Sequence, residues 1–151
     1  MKPLHELIVE GNRRDFGIVS HNPSAGFVLI SHAGLSLIQS APGRLDDIVQ
    51  MAQDNAGMDF EESISRGLNN QFLLLGSGSE GYVYKVPVQK GAAIALKLYN
   101  PDRYGNLNGG LTYFKALLRA KHEDLFDTVT PYVATKNFIL MSLMPKLPDY
   151  H

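Results

Sequence analysis

Phe72-Leu73-Leu74-Leu75-Gly76-Ser77-Gly78-Ser79-Glu80-Gly81-Tyr82-Val83-Tyr84-Lys85-Val86-Pro87-Val88 is the stretch on which the fold turns. Its glycines stand at the spacing G-x-G-x-x-G, between an apolar run and a β-branched, aromatic run without helical period. A dinucleotide-binding glycine turn must open a helix whose N-terminus holds the pyrophosphate, whereas Pro87 and its neighbours predict a strand. A Walker A loop needs Lys and then Ser or Thr directly after its last glycine, and here Tyr82 and Val83 follow Gly81. What remains is a glycine hairpin between antiparallel strands, whose backbone can approach phosphate closely where side chains are missing. Taken alone, the same six residues also fit a plain permissive β-turn.

Working outward, Gln89-Lys90-Gly91 predicts a second turn, and Ala92-Ala93-Ile94-Ala95-Leu96-Lys97-Leu98-Tyr99 a further strand with one lysine inside an apolar run. Such a lysine either snorkels, its stem covering core while its head reaches water, or serves a site. Asn100 to Gly110 is rich in Asn and Gly and predicts a loop before a helix carrying Leu111, Phe114, Leu117 and Leu118. Tyr132 to Thr135 and Phe138 to Pro145 predict two more strands joined around Lys136-Asn137.

With these residues in view, the chain resembles the protein-kinase family over residues 71–145. GSGSEGYVYKV follows the pattern G-x-G-x-x-G-x-V, and AIALKLY follows the V-A-I-K strand with Ala95 and Lys97 in register. The resemblance implies an α+β fold: a kinase-like N-lobe with a five-stranded antiparallel sheet and an αC-like helix, preceded by a small α/β extension. It implies that Val83 and Ala95 pack on an adenine ring, that the amides of Gly76, Ser77, Gly78, Ser79 and Gly81 cover phosphates, and that Lys97 pairs with the α and β phosphates. An ammonium on a long stem suits that task. Met141 would be the gatekeeper, with Ser142 and Met144 offering backbone groups to the adenine edge; a buried core strand is the other reading of Met141.

The resemblance also departs from its pattern. In active kinases the αC helix supplies a glutamate to the strand lysine, yet Leu111 to Lys121 carries Lys115, Arg119 and Lys121 and no acid. Glu123 is the nearest candidate partner for Lys97, later than the usual spacing, so that the helix is extended or shifted, the ion pair is absent, or an acidic residue from elsewhere replaces it; a solvated helix-end carboxylate is the other reading of Glu123. His122-Glu123-Asp124 lies before the hinge, so it is not the catalytic-loop H-R-D. The sequence given stops six residues after Pro145, ahead of any catalytic-loop Asp, metal-binding Asn or D-F-G Asp. The expectation is therefore the N-terminal portion of a serine/threonine protein-kinase-like protein, with ATP as its ligand, Mg-dependent once a C-lobe is supplied. Phosphoryl transfer then waits on that C-lobe. The alternative is a non-catalytic interaction module built on a degenerate N-lobe, a pseudokinase. In either case an uncovered face bearing Val83, Ala95, Met141 and Met144 would call for a protein partner, a second copy or the N-terminal residues to cover it.

Residues 1–70 give structure without a site. Leu4, Leu7 and Ile8 predict a short helix ended by Gly11, and Phe16 to Ser20 with Gly26 to Ser31 predict a hairpin around Asn22-Pro23-Ser24. Leu45, Ile48, Val49 and Ala52 predict a helix after Pro42-Gly43, with Asp46 and Asp47 in its first turn, where the helix dipole favours them. A second helix is predicted from about Asp59 to Leu68, before the polar Asn69-Asn70-Gln71 that reads as a boundary. The implied organisation is 1–70 extension, 71–145 N-lobe and 146–151 truncated hinge or tail.

Composition supports one globular unit: 151 residues, 44% hydrophobic, with a net charge of -1. That balance gives no general attraction for nucleic acid or anionic membrane, so neither is expected as a partner. There is no cysteine and the five histidines lack ligand spacing, so no structural metal is expected. No apolar run is long enough to span a bilayer and the first residues show no signal-peptide core, which predicts a cytoplasmic protein.

Overall fold

A computed structural model describes residues 1–101, 107–123 and 129–143. Among them the chain is α+β, with an eight-stranded antiparallel sheet and six helices. The first part runs α1 (Leu4–Glu10), β1 (Asn12–Arg14), β2 (Gly17–Asn22), β3 (Gly26–Ser31), α2 (His32–Ser40), α3 (Pro42–Asp54), α4 (Phe60–Ser65) and α5 (Leu68–Gln71). The second runs β4 (Leu73–Ser77), β5 (Gly81–Gln89), β6 (Ala92–Tyr99), α6 (Gly109–His122), β7 (Pro131–Ala134) and β8 (Phe138–Met141).

The sheet order is β1-β2-β3-β7-β8-β6-β5-β4. Where five strands were expected there are eight, because β3 pairs with β7 through Leu29↔Ala134 and Ile30↔Val133. The physical reason is edge protection: β7 would otherwise present unpaired N–H and C=O groups, and β3 takes them up. Strands from residues 1–70 and from residues 71–145 therefore share one sheet. Ser31 ties the junction further, since its hydroxyl donates to the Pro131 carbonyl at 2.6 Å and accepts from the Gly34 N–H at 2.9 Å, capping α2.

Alternation along the strands sends successive side chains to opposite faces. One face carries Ile18, Val28, Ile30, Tyr82, Tyr84, Val86, Leu96, Leu98, Phe138 and Leu140, packed with Leu4 and Leu7 of α1, Ile38 of α2, Leu45, Ile48, Val49 and Ala52 of α3, and Leu68 of α5. Two tyrosines can be buried there because their hydroxyls have partners: Tyr82 meets the Ser63 hydroxyl at 2.6 Å, and Tyr84 donates to the Asn69 side-chain oxygen. The opposite face carries Leu29, Ala95, Tyr99, Ala134, Ile139 and Met141, packed with Phe114 and Leu117 of α6.

Two helix starts differ from expectation. Helix α3 begins at Pro42, so Asp46 and Asp47 lie beyond its first turn; Asp46 instead accepts the Leu4 N–H at 2.8 Å and so satisfies a donor at the start of α1. Asp59 caps α4 by accepting the Glu62 N–H at 2.8 Å, Gly67 ends that segment at φ 87°, and α5 follows as a separate turn.

The candidate nucleotide cleft

The site is built on the face that α6 covers only in part. Cross-strand register places Val83 opposite Lys97, Lys85 opposite Ala95, and Ala95 in turn opposite Met141. A cavity of about 660 Å³ opens over them, lined by Leu75, Gly76, Val83, Lys85, Ala95, Lys97, Tyr113, Met141, Ser142 and Leu143. That volume suits a drug-sized or nucleoside-sized ligand. A second space of about 350 Å³ lies under the glycine turn, lined by Gly76 to Gly81 with Val83 and Lys97. A third, of about 440 Å³, lies toward α6 between Glu80, Lys97, Tyr99, Thr112 and Tyr113. Lys97 lines all three.

The glycine turn is held from one side. Gly78 N–H donates to the Gly81 carbonyl at 2.9 Å, and Asn100, just past β6, ties down the carbonyls of Gly78, Ser79 and Glu80. Its side-chain amide donates to Gly78 O at 3.1 Å and Ser79 O at 3.0 Å, and its N–H to Glu80 O at 2.8 Å. A turn whose carbonyls are engaged in this way sets fewer oxygens against an incoming phosphate. The three motif glycines differ in purpose. A Cβ on Gly81 would run into the Leu98 carbonyl, so that glycine serves β5–β6 packing, whereas a Cβ on Gly76 or Gly78 would meet nothing within 4 Å. Among the described residues nothing requires Gly76 or Gly78 to lack a side chain, and the room their missing Cβ atoms leave borders the cavity.

Lys97 is 17% exposed at its side chain and is held by two aromatic faces, with Nζ 4.9 Å from the Tyr99 ring centroid and 5.2 Å from that of Tyr113. Burial pushes the Tyr99 phenol up, with Tyr113 and Glu80 adding to the effect. Among the described residues, the carboxylate paired with Lys97 is Glu80 of the glycine turn, at 3.4 Å. Glu123, the expected partner, is the exposed C-terminal cap residue of α6. The reason lies in the helix: α6 lines the cleft with Tyr113, Thr112 and Ala116, and its charged residues include Lys115, Arg119 and Lys121.

The other expected residues fall as follows. Gly76, Ser77, Gly78, Ser79 and Gly81 line the space under the turn, and Val83, Ala95, Met141 and Ser142 line the larger cavity. Ala95 and Met141 are already 3% and 7% exposed, sheltered by the α6 cluster, and Val83 is half-buried, so this face is less bare than expected. The N-terminal helices cover the opposite face. Ser142 donates its N–H to the Thr130 carbonyl and accepts the Thr130 N–H on its hydroxyl, both at 2.8 Å, which makes its carbonyl the backbone group it can offer a ligand. Met144 lies outside the described residues.

Sequence reasoning missed Glu80, Asn100, Tyr113, Lys85, Leu75 and Leu143. Glu80 was in plain view inside the motif, and Tyr113 sits one residue before Phe114 on the predicted helix; either could have been found by asking what else reaches Lys97. Among the described residues no group of three or more His, Cys, Asp or Glu stands ready to hold a metal ion, and no helix is long and apolar enough to cross a membrane. Comparison of the chain with protein families, with curated proteins and with solved structures returns no match.

Proposed function

We propose that this chain is the N-terminal portion of a serine/threonine protein-kinase-like protein, and that its cleft takes ATP. The observation that carries this reading is the cavity of about 660 Å³, in which Gly76, Val83, Ala95, Lys97, Met141 and Ser142, chosen from spacing and motif, line one concave space. Strand order supports it as well: in β4-β5-β6-β8-β7 the glycine turn, the lysine strand and the strand leading to Ser142 lie side by side, with α6 packed behind them in the role of αC. On this reading Val83, Ala95 and Met141 sandwich the adenine ring, the open positions at Gly76 and Gly78 admit the phosphates, and Lys97 neutralises them. The chain binds and orients the nucleotide. The base and the Mg²⁺ ligands for phosphoryl transfer come from a C-lobe.

A second reading, a non-catalytic protein-interaction module on a degenerate N-lobe, is favoured by one observation. Helix α6 turns Tyr113, and no carboxylate, toward Lys97, so the lysine–αC ion pair on which active kinases depend is replaced. Leu73 and Leu75, 63% and 50% exposed on the edge strand, would then belong to a partner's footprint.

Calorimetric titration of Mg-ATP into the wild type and Lys97→Met separates the two. The nucleotide reading expects saturable binding that the substitution weakens at least tenfold. Absence of binding by the folded wild type would overturn it in favour of the interaction module.

A further inference from the structure

Lys97 is held twice, by means that differ in kind. The rings of Tyr99 and Tyr113 hold its ammonium without neutralising it, at 4.9 and 5.2 Å to their centroids. The charge itself is met by Glu80, at 3.4 Å. These two partners have different standing in the fold. Tyr99 is buried at 8% exposure and sits on a sheet strand, whereas Glu80 lies on the glycine turn with its side chain 69% exposed. An ion pair with one such exposed member contributes little to stability.

Glu80 also lines both the space under the glycine turn and the space toward α6. Glu80 therefore borders two of the three spaces that reach Lys97, the larger cavity being the third. From this geometry we infer that Glu80 is an internal counter-ion, which an anionic ligand displaces from Lys97, and that it thereby sets how strongly the cleft favours phosphate-bearing ligands over neutral ones. The inference rests on the nucleotide reading above and adds a specificity-determining residue to it. When Glu80 leaves, the aromatic pair keeps the ammonium in place, so the site exchanges one anion for another without repacking β6. The displaced carboxylate remains on the turn and repels each further negative charge, so its cost grows with the charge of the ligand. Adenosine, which carries no phosphate, does not compete with it.

The test compares adenosine, ATP and inorganic tripolyphosphate by calorimetry on the wild type, Glu80→Gln, Lys97→Met and the double variant, with thermal unfolding to verify that each is folded. Glu80→Gln keeps the size of the side chain and removes its charge. ATP and tripolyphosphate should bind Glu80→Gln about tenfold more tightly than the wild type, about 1.4 kcal/mol, while adenosine changes by less than about twofold. In the Lys97→Met background the gain should largely vanish. An unchanged or weakened ATP affinity in Glu80→Gln, where the wild type binds ATP through Lys97, overturns this inference and leaves the nucleotide reading standing. A gain of equal size without Lys97 also overturns it, since the pair is then not the cause. If no variant binds adenosine or ATP, the nucleotide reading fails, and tripolyphosphate still decides about Glu80: a gain that depends on Lys97 upholds the counter-ion, and no gain removes it.

Discussion

The two faces of the sheet use the same strands for opposite purposes. On β5 and β6, Tyr82, Tyr84, Val86, Leu96 and Leu98 look toward the N-terminal helices and are at most 1% exposed. Their immediate neighbours Val83, Lys85 and Lys97 look the other way and line the cleft. Because side chains alternate strictly, one strand can be a core on one side and a site on the other, and substitutions one residue apart should report on different properties. The helix-covered face is where stability resides. The α6 face trades some of that burial for a concave opening.

The largest expected effect breaks the comparison on its stable side. Phe138, fully buried against the helices, should cost about 3–5 kcal/mol when replaced by Ala, through lost burial and the cavity left behind. Val83→Ala on the cleft face should cost less than about 1.5 kcal/mol, yet lower adenosine affinity. Urea unfolding and ligand titration on the same two variants would show the crossover; equal losses of stability would erase the distinction between the faces.

A smaller effect sharpens the comparison within the glycine turn. Gly81→Ala forces a methyl against the Leu98 carbonyl and should destabilise the fold by about 1–3 kcal/mol. Gly78→Ala meets no atom and should leave stability within about 0.5 kcal/mol while weakening ATP binding, read by thermal unfolding beside calorimetry.

The smallest effect is in pH. Burial pushes the Tyr84 phenol up to about 12, with neighbouring Tyr82 adding to it. An unfolded tyrosine loses its proton near pH 10, so between about pH 10 and 12 the unfolded chain binds fewer protons than the folded one, and stability falls as pH rises. Below about pH 9 this contribution is flat. Tyr84→Phe should make the alkaline decline shallower, in unfolding midpoints recorded from pH 7 to 11.

Much of this arrangement was legible in the sequence where local pattern and local structure coincide. The hairpin on either side of Gly76 to Gly81, the lysine strand and the helix after Pro42 follow from alternation, turn residues and helical spacing acting over a few residues. What stayed hidden depends on distant partners. Strand β1 is three exposed polar residues, Asn12–Arg14, with no alternation to announce it. Helix α2 follows β3 without a break, marked only by Ser31 as its cap. The joining of β3 to β7 brings together Leu29 and Ala134, and no local signal encodes that. The lysine's surroundings are hidden for a related reason: the sequence leaves open that an acid from outside α6 replaces the helix glutamate, but not that it is Glu80 of the turn, nor that Tyr99 and Tyr113 add aromatic support.

The central claim, that the α6 face is the ligand face, is tested most directly by NMR of the alanine and methionine methyl groups during titration with ATP. The account predicts shifts at Ala95 and Met141, which line the cavity, and none at Met51 or Ala52 on the helix-covered side. Shifts confined to Met51 and Ala52, or none at saturating ATP, would contradict it.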